Sequence, residues 1–125
     1  MFKKSSPKAL GDAAEDQALA LLQSQGLKLV ERNYRVAGGP ARHAGEVDLI
    51  LHDRDGTLVF VEVRARKSSA QGGAAASVTA PKQRRIAFAA RHYLMRFATP
   101  PPCRFDVVAL EGERIEWIRA AFDTE

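Results

Sequence analysis

A strand-turn-strand segment between Glu46 and Arg64 restricts the fold more than any other part of the chain. Two short apolar runs, from Glu46 to Leu51 and from Leu58 to Arg64, contain the β-branched and aromatic residues typical of strands. A polar, glycine-containing segment, 52–57, separates them. The pattern predicts an antiparallel β-hairpin, and therefore a fold that contains a sheet.

The length of the turn decides which side chains of this hairpin face each other. A three-residue loop that ends at Gly56 in the left-handed conformation pairs Asp53 with Thr57. Because side chains alternate along a strand, this register sets Asp48 opposite Glu62 on one face of the sheet. A four-residue loop would move the two carboxylates to opposite faces. We expect the three-residue loop.

Two carboxylates that face each other repel, so the hairpin needs a compensating positive charge. Their β-carbons would lie about 5 Å apart in an otherwise apolar sheet, and Glu46 would share the face of Asp48. A divalent cation such as Mg²⁺ is one candidate, because it takes one or two carboxylates plus substrate phosphates. An ion pair of Glu62 or Asp48 with Arg64, Arg66 or another basic side chain is the other. The residue spacing leaves both explanations open.

The rest of the chain predicts two helices and three further strands. They are a helix from Ser6 to Gly26, a strand from Leu27 to Val36, a helix from Pro81 to the prolines at 100–102, and strands from Arg104 to Leu110 and from Arg114 to Ile118. The segment 67–79 is rich in Ser, Gly and Ala and predicts a mobile loop. We expect an α/β fold in a single domain, 1–125: a mixed sheet flanked by helices in the order αβββαββ.

Charge is distributed unevenly along the chain. The net charge is +4, but the segment 63–105 contains nine basic side chains and no carboxylate. Such a block favours a polyanionic partner, DNA or RNA, and a solvated helix face is the alternative explanation. Basic residues at the start of the second helix oppose the helix dipole, which favours a phosphate partner there. The candidate nucleic-acid-binding residues are Arg66, Lys67, Lys82, Gln83, Arg84 and Arg85.

Several function classes are disfavoured by the sequence. The one cysteine, Cys103, cannot form an internal disulfide or a multi-thiolate zinc site, and we expect it to be buried in a strand. No apolar stretch approaches about 20 residues, and acidic residues follow the basic N-terminal segment, so we expect a cytoplasmic protein with no membrane partner. The glycine pairs do not have the spacing of a P-loop or a dinucleotide-binding motif. The oligomeric state is left open.

The hairpin residues resemble a known family. The segments 45–50, GEVDLI, and 58–66, LVFVEVRAR, resemble the signature of the YraN-type bacterial proteins, a largely uncharacterised group similar to the PD-(D/E)XK restriction-endonuclease-like nucleases. The resemblance extends to Gly11 and Glu15 and to the segment 104–108. It implies a restriction-endonuclease-like fold and phosphodiester hydrolysis assisted by Mg²⁺, with Mn²⁺ as a possible substitute.

The resemblance also implies roles for individual residues. Asp48 corresponds to the metal-binding aspartate, Glu62 to the acidic residue two positions before the catalytic lysine, and Glu15 to an acidic position near the metal. Arg64 occupies the lysine position. A guanidinium stays protonated, so Arg64 suits binding of a phosphate oxygen better than activation of water, and Glu46 is another candidate base. The expected metal ligands are Asp48, Glu62 and Glu15, and the expected catalytic residues are Asp48, Glu62, Arg64 and Glu46.

Three functions are compatible with these residues. The first is a Mg²⁺-dependent, endonuclease-like phosphodiester hydrolase that binds nucleic acid. The second is a non-catalytic nucleic-acid-binding module derived from a nuclease, which Arg64 at the lysine position favours. The third is a protein-interaction domain whose basic helix docks an acidic partner.

Overall fold

The computed structural model describes residues 7–38, 44–66 and 78–123, which form two helices and five strands. The elements are α1 (Pro7–Ser24), β1 (Lys28–Val36), β2 (Gly45–His52), β3 (Leu58–Arg66), α2 (Ala80–Leu94), β4 (Cys103–Glu111) and β5 (Arg114–Phe122). Their order is the predicted αβββαββ. Lys67 and most of the predicted 67–79 loop lie outside the described residues.

The five strands form one mixed sheet in the order β1-β2-β3-β4-β5. β3 and β4 are parallel, because α2 connects them as a crossover, and every other neighbouring pair is antiparallel. The expected mixed sheet is therefore confirmed.

The two helices pack on opposite faces of the sheet. Even-numbered residues of the central hairpin, such as Ile50 and Phe60, pack with α2, whereas odd-numbered residues, such as Leu49, Val59 and Val61, pack with α1. All five are fully buried. This alternation is what a sheet covered on both faces requires. The predicted arrangement of a sheet flanked by helices is thus confirmed.

The hairpin turn has the predicted geometry. Gly56 adopts a φ of 89°, and the Asp53 N–H donates to the Thr57 carbonyl at 2.9 Å. The left-handed conformation at Gly56 is one that glycine adopts without steric cost. The residues pair as a three-residue loop requires, with Leu49 opposite Val61.

Three expectations at the C-terminal half need correction. α2 ends at Leu94 rather than at the prolines, because the next N–H groups bond to carbonyls three residues back and tighten the chain into a turn. β5 extends to Phe122, past the expected end at Ile118. Cys103 is exposed rather than buried, because it is the first residue of β4.

None of the helices in the described part of the chain is long and apolar enough to span a membrane.

Candidate functional site

The two candidate carboxylates lie where β2 separates from β3. The backbone pairing of these strands runs from His52–Leu58 to Leu49–Val61. Asp48 and Glu62 are the next residues in that register. The Asp48 side chain takes over the bonding there, since its Oδ2 accepts a hydrogen bond from the Val63 N–H at 2.7 Å. The predicted proximity of Asp48 and Glu62 is therefore borne out by the geometry, in a strand that is no longer regular.

The irregularity reaches the neighbouring strand. Asn33 of β1, which lies between the pairs Arg32–Leu49 and Tyr34–Val47, has a φ of 55°. Val47 packs with the α2 cluster, although strict alternation with Leu49 predicts the α1 face. The pleat is therefore interrupted at Asp48, which lets β2 present this carboxylate beside Glu62.

Asp48 and Glu62 open into a cavity between the hairpin and α2. Its volume is about 250 Å³, and Glu46 lines it from the same strand as Asp48. Lys82 and Arg85 line it from α2. The cavity thus brings three carboxylates and two cationic side chains together, a composition suited to a charged ligand.

The environment of Asp48 opposes its ionisation. Burial is the main cause and the neighbouring negative charge of Glu62 is the next, and together they raise the pKa of Asp48 to about 7. The hydrogen bond from Val63 N–H acts in the opposite direction, while Glu46 adds further repulsion. A cation bound beside Asp48 would offset the repulsion from the neighbouring carboxylates and favour the charged form of Asp48.

Lys82 supplies the positive charge that the structure places against Glu62. Its Nζ lies 3.2 Å from Glu62 Oε1, and the Glu62 side chain is only 7% exposed. Thr79 fixes this end of α2, because its hydroxyl accepts the Lys82 N–H and so caps the helix. Lys82, predicted as a phosphate-binding residue, therefore also forms an ion pair with Glu62.

The other predicted nucleic-acid-binding residues separate into groups. Arg84 and Arg85 are exposed on α2, and only Arg85 lines the carboxylate cavity. The Gln83 side chain donates to the Val78 carbonyl at 3.0 Å, a bond that holds the start of the helix. Arg66 is half-buried at the end of β3.

Glu15 lies on the α1 side of Asp48 and does not line the cavity. Arg32 Nε lies 3.2 Å from its Oε1, and Asn33 also hydrogen-bonds it. Burial, followed by repulsion from Asp48, raises the pKa of Glu15. The carboxylate is therefore close enough to sense Asp48, but its hydrogen bonds are committed to β1.

Arg64 and Glu46 lie beside the carboxylate pair in different ways. Arg64 does not line the cavity, and its Nε is buried without a hydrogen-bond partner among the described residues. Glu46 is exposed and lies 3.6 Å from Arg35 Nε on β1. Of the described cations, Lys82 of α2 is therefore the one that lies in an ion pair with Glu62.

The donors present fit a divalent cation held by two protein carboxylates. Over the described ranges, no group of three or more His, Cys, Asp or Glu side chains is arranged to hold a metal ion. Asp48 and Glu62 nevertheless offer oxygen ligands in one cavity, and burial together with repulsion from Glu62 raises the pKa of Asp48. Mg²⁺ keeps several waters and uses one or two carboxylates with substrate phosphates, so two such groups suffice.

A second carboxylate cluster was missed by the sequence reasoning. Asp106 of β4 is fully buried and accepts hydrogen bonds from Arg104 Nε, Trp117 Nε1 and the Ala120 N–H. Arg104 also bridges to Asp53 at 2.9 Å, which ties β4 to the hairpin turn. The signal available in the sequence was one aspartate within an apolar strand. These contacts join β4 to β5 and to the hairpin turn, which is a structural role.

Comparison with known proteins identifies relatives along nearly the whole chain. The model of a family described as "Uncharacterised protein family UPF0102" matches residues 14–110. A UPF0102 protein of Methylibium petroleiphilum is 72% identical over 116 residues, which cover 93% of this chain and 95% of that protein. A UPF0102 protein of Paracidovorax citrulli is 61% identical, over 97% of this chain and 87% of that protein. One from Cupriavidus taiwanensis is 56% identical, over 98% and 89%.

Proposed function

The chain belongs to the uncharacterised family UPF0102, the YraN-type family that its sequence resembles. We propose that it binds nucleic acid and hydrolyses phosphodiester bonds with Mg²⁺. The observation that carries the proposal is the cavity in which Asp48 and Glu62 meet beside Lys82 and Arg85. Carboxylates and cationic groups in one cavity can hold a divalent cation and the oxygens of a phosphate at the same time.

Asp48 and Glu62 would hold the cation. A Mg²⁺ ion held there would supply activation of water and stabilisation of the charge that develops on the phosphate. The hydrogen bond from Val63 N–H to Asp48 Oδ2 keeps that carboxylate oriented toward Glu62. These contacts fix the ligands in advance, which reduces the reorganisation needed when the cation binds.

The cationic side chains of α2 would hold the phosphate. Arg85 lines the cavity and offers two parallel N–H donors to phosphate oxygens. Lys82 Nζ lies 3.2 Å from Glu62 Oε1, and its ammonium group is a compact positive charge that can also contact a phosphate oxygen. In this proposal Lys82, rather than Arg64, fulfils the role of the lysine in the nuclease motif.

A cleavage assay with matched variants tests the proposal. Single-stranded, double-stranded, nicked and branched DNA and RNA are incubated with Mg²⁺ or Mn²⁺, using the parent chain and the variants Asp48→Asn, Glu62→Gln and Glu113→Gln. We expect metal-dependent cleavage by the parent and by Glu113→Gln, whose carboxylate lies exposed at the β4–β5 turn. Loss of at least a hundredfold is expected in the two pocket variants. Unchanged cleavage in folded Asp48→Asn and Glu62→Gln would exclude this site.

A non-catalytic nucleic-acid-binding module is the second candidate function. The observation that favours it is the Lys82–Glu62 ion pair, which compensates the buried carboxylate without a metal. This alternative predicts salt-sensitive binding that is equal in EDTA and in Mg²⁺, with no cleavage of any substrate. Metal-dependent products that disappear with Asp48→Asn would decide for the enzyme.

A further inference from the structure

A second concave surface lies on α2, next to the carboxylate cavity. It has a volume of about 320 Å³ and is lined by Pro81, Arg84, Arg85, Phe88 and Arg91, which we call the arginine groove. Arg85 lines both this groove and the carboxylate cavity, so the two are contiguous. A ligand that enters the cavity can therefore extend along the helix.

The arginine groove carries positive charge that the described part of the protein does not neutralise. Arg84, Arg85 and Arg91 are all exposed, and within residues 7–38, 44–66 and 78–123 none of them lies in an ion pair. α2 has no acidic residue in its sequence. Uncompensated guanidinium groups in a concave surface are complementary to phosphates.

Phe88 gives the arginine groove an aromatic element at a fixed position. A β-carbon built on Gly45 would lie 2.7 Å from Phe88 Cδ1, so this ring packs directly over the start of β2. The ring is only half-buried and lies on the same helix face as Arg84 and Arg91, four residues after one and three before the other. Aromatic rings beside cationic side chains stack unpaired bases, whose faces a duplex keeps covered.

We propose that the arginine groove binds an unpaired segment of the nucleic acid strand whose phosphodiester enters the carboxylate cavity. This inference rests on the proposed function and adds the path and the strandedness of the substrate. The helix rises about 10 Å between Arg84 and Arg91. This length suits a short stretch of one strand, with a phosphate near each end of the groove.

Equilibrium binding in EDTA tests the groove separately from catalysis. Fluorescence anisotropy is measured for single-stranded DNA, single-stranded RNA and duplex DNA at several salt concentrations, with the parent and with Arg84→Gln, Arg91→Gln, Phe88→Leu and Arg114→Gln. Arg114 is an exposed arginine at the start of β5 and serves as the matched control. Thermal unfolding of each variant confirms that it is folded.

We expect the parent to prefer either single strand over the duplex. Arg84→Gln and Arg91→Gln should each reduce the salt slope by about 0.7 on a single strand, because each removes one phosphate contact. Phe88→Leu should weaken single-strand binding about fivefold or more while the salt slope and duplex binding stay the same. Arg114→Gln should match the parent.

Salt slopes and single-strand affinities equal to those of the parent in all three groove variants would overturn the proposal. Equal affinity of the parent for duplex and single strand, with no effect of Phe88→Leu, would overturn the strandedness. Cleavage is measured in parallel with Mg²⁺. Loss of the groove proposal with retained cleavage can then be distinguished from groove-dependent binding without cleavage, which would contradict the proposed function. Comparison of the affinities for single-stranded DNA and single-stranded RNA shows whether the groove binds one of them or both.

Discussion

Asp48 is the residue at which the hairpin changes from a structural element into a site. Up to Leu49 the strands β2 and β3 pair regularly, and at Asp48 a side-chain oxygen replaces a backbone carbonyl as acceptor for β3. This exchange interrupts the pleat of the strand and holds a carboxylate beside Glu62 in the cavity. The cost is electrostatic, because both burial and Glu62 disfavour the charged form.

We expect Asp48→Asn to stabilise the protein in EDTA at high pH. The unfolded Asp48 loses its proton near its ordinary pKa of 3.8, whereas the folded one loses it near 7. The folded state therefore binds the proton more tightly, and this group lowers the free energy of unfolding as pH rises from about 4 to 7. Asparagine removes that dependence and can still accept the Val63 N–H.

Thermal unfolding at pH 5 and pH 8 measures the effect. The gain of Asp48→Asn over the parent should reach at most about 4 kcal/mol at pH 8 and should shrink toward pH 5. Adding Mg²⁺ at pH 8 should raise the midpoint of the parent but not that of the variant. A variant that is less stable than the parent at both pH values would contradict this account of the site.

Lys82→Met should expose how much the ion pair to Glu62 stabilises the fold. Removing one partner leaves a buried carboxylate unpaired, a loss of 3–5 kcal/mol in fully buried pairs. Lys82 is 28% exposed, so we expect a loss of about 1–3 kcal/mol in the free energy of unfolding at pH 7.5 in EDTA. Mg²⁺ should restore more stability to the variant than it adds to the parent.

Urea denaturation with and without Mg²⁺ provides the measurement, with Arg84→Gln as control on the same helical turn. The control should remain within about 0.5 kcal/mol of the parent, because Arg84 is exposed. Equal stability of Lys82→Met and the parent in EDTA would mean that the ion pair has no net energetic role.

The positions of the two carboxylates could be predicted from the sequence, whereas the position of Lys82 could not. Asp48 and Glu62 could be set face to face by counting residues through the turn, because a hairpin register is a local property. Lys82 follows Glu62 by a connecting segment and one helical turn, and its position depends on how α2 packs on the sheet. No local pattern encodes that packing, so the sequence supported a cation near the carboxylates without identifying which one.

At the scale of elements, the contact of α2 with the start of β2 sets the width of the site. Gly45 is buried there, and a β-carbon on it would lie 2.9 Å from the Ala89 backbone nitrogen. Only a residue without a side chain allows the helix to approach this closely. The distance between the carboxylates of the hairpin and the cations of the helix therefore depends on one glycine.

Gly45→Ala should push α2 away from the hairpin and weaken the site. We expect a loss of about 1–3 kcal/mol in the free energy of unfolding, as for other overpacked contacts, and weaker single-strand binding. Gly11→Ala in α1 is the matched control, because a β-carbon there meets nothing within 4 Å and helix propensity favours alanine by about 0.5–1 kcal/mol. Urea denaturation and anisotropy report the two effects. Equal behaviour of both variants would contradict the argument.

The elements themselves were predictable where the pattern was periodic and less so at their ends. The hairpin and both helices follow from apolar spacing and turn residues. The end of α2 at Leu94 was missed, because Phe97 continues the apolar stripe after the chain has left the helix. In the extension of β5, the Ala120 N–H donates to the Asp106 side chain of the neighbouring strand β4, a side-chain contact that no local sequence pattern indicates.

At the scale of the whole molecule, the buried Asp106 cluster and the candidate site lie in different parts of the fold. The Asp106 cluster joins β4, β5 and the hairpin turn, while the carboxylate cavity and the arginine groove lie along α2. The sequence indicated this division only as an acid-free basic segment following an acidic hairpin. Folding places the carboxylate cavity directly beside the arginine groove. The groove attracts a phosphate, whereas the carboxylates repel it unless a cation is bound between them.

The double variant Asp48→Asn, Glu62→Gln should therefore bind single-stranded nucleic acid more tightly than the parent in EDTA. It removes the charge of Glu62 and that of the partly ionised Asp48 near the phosphate path and frees Lys82, for an expected gain of roughly threefold to tenfold in affinity. Millimolar Mg²⁺ should tighten binding by the parent and abolish the difference, because the cation neutralises the same carboxylates. Anisotropy at one salt concentration measures both conditions, and Glu113→Gln should match the parent in each. Weaker binding by the folded double variant in EDTA would place the phosphate path elsewhere on the molecule.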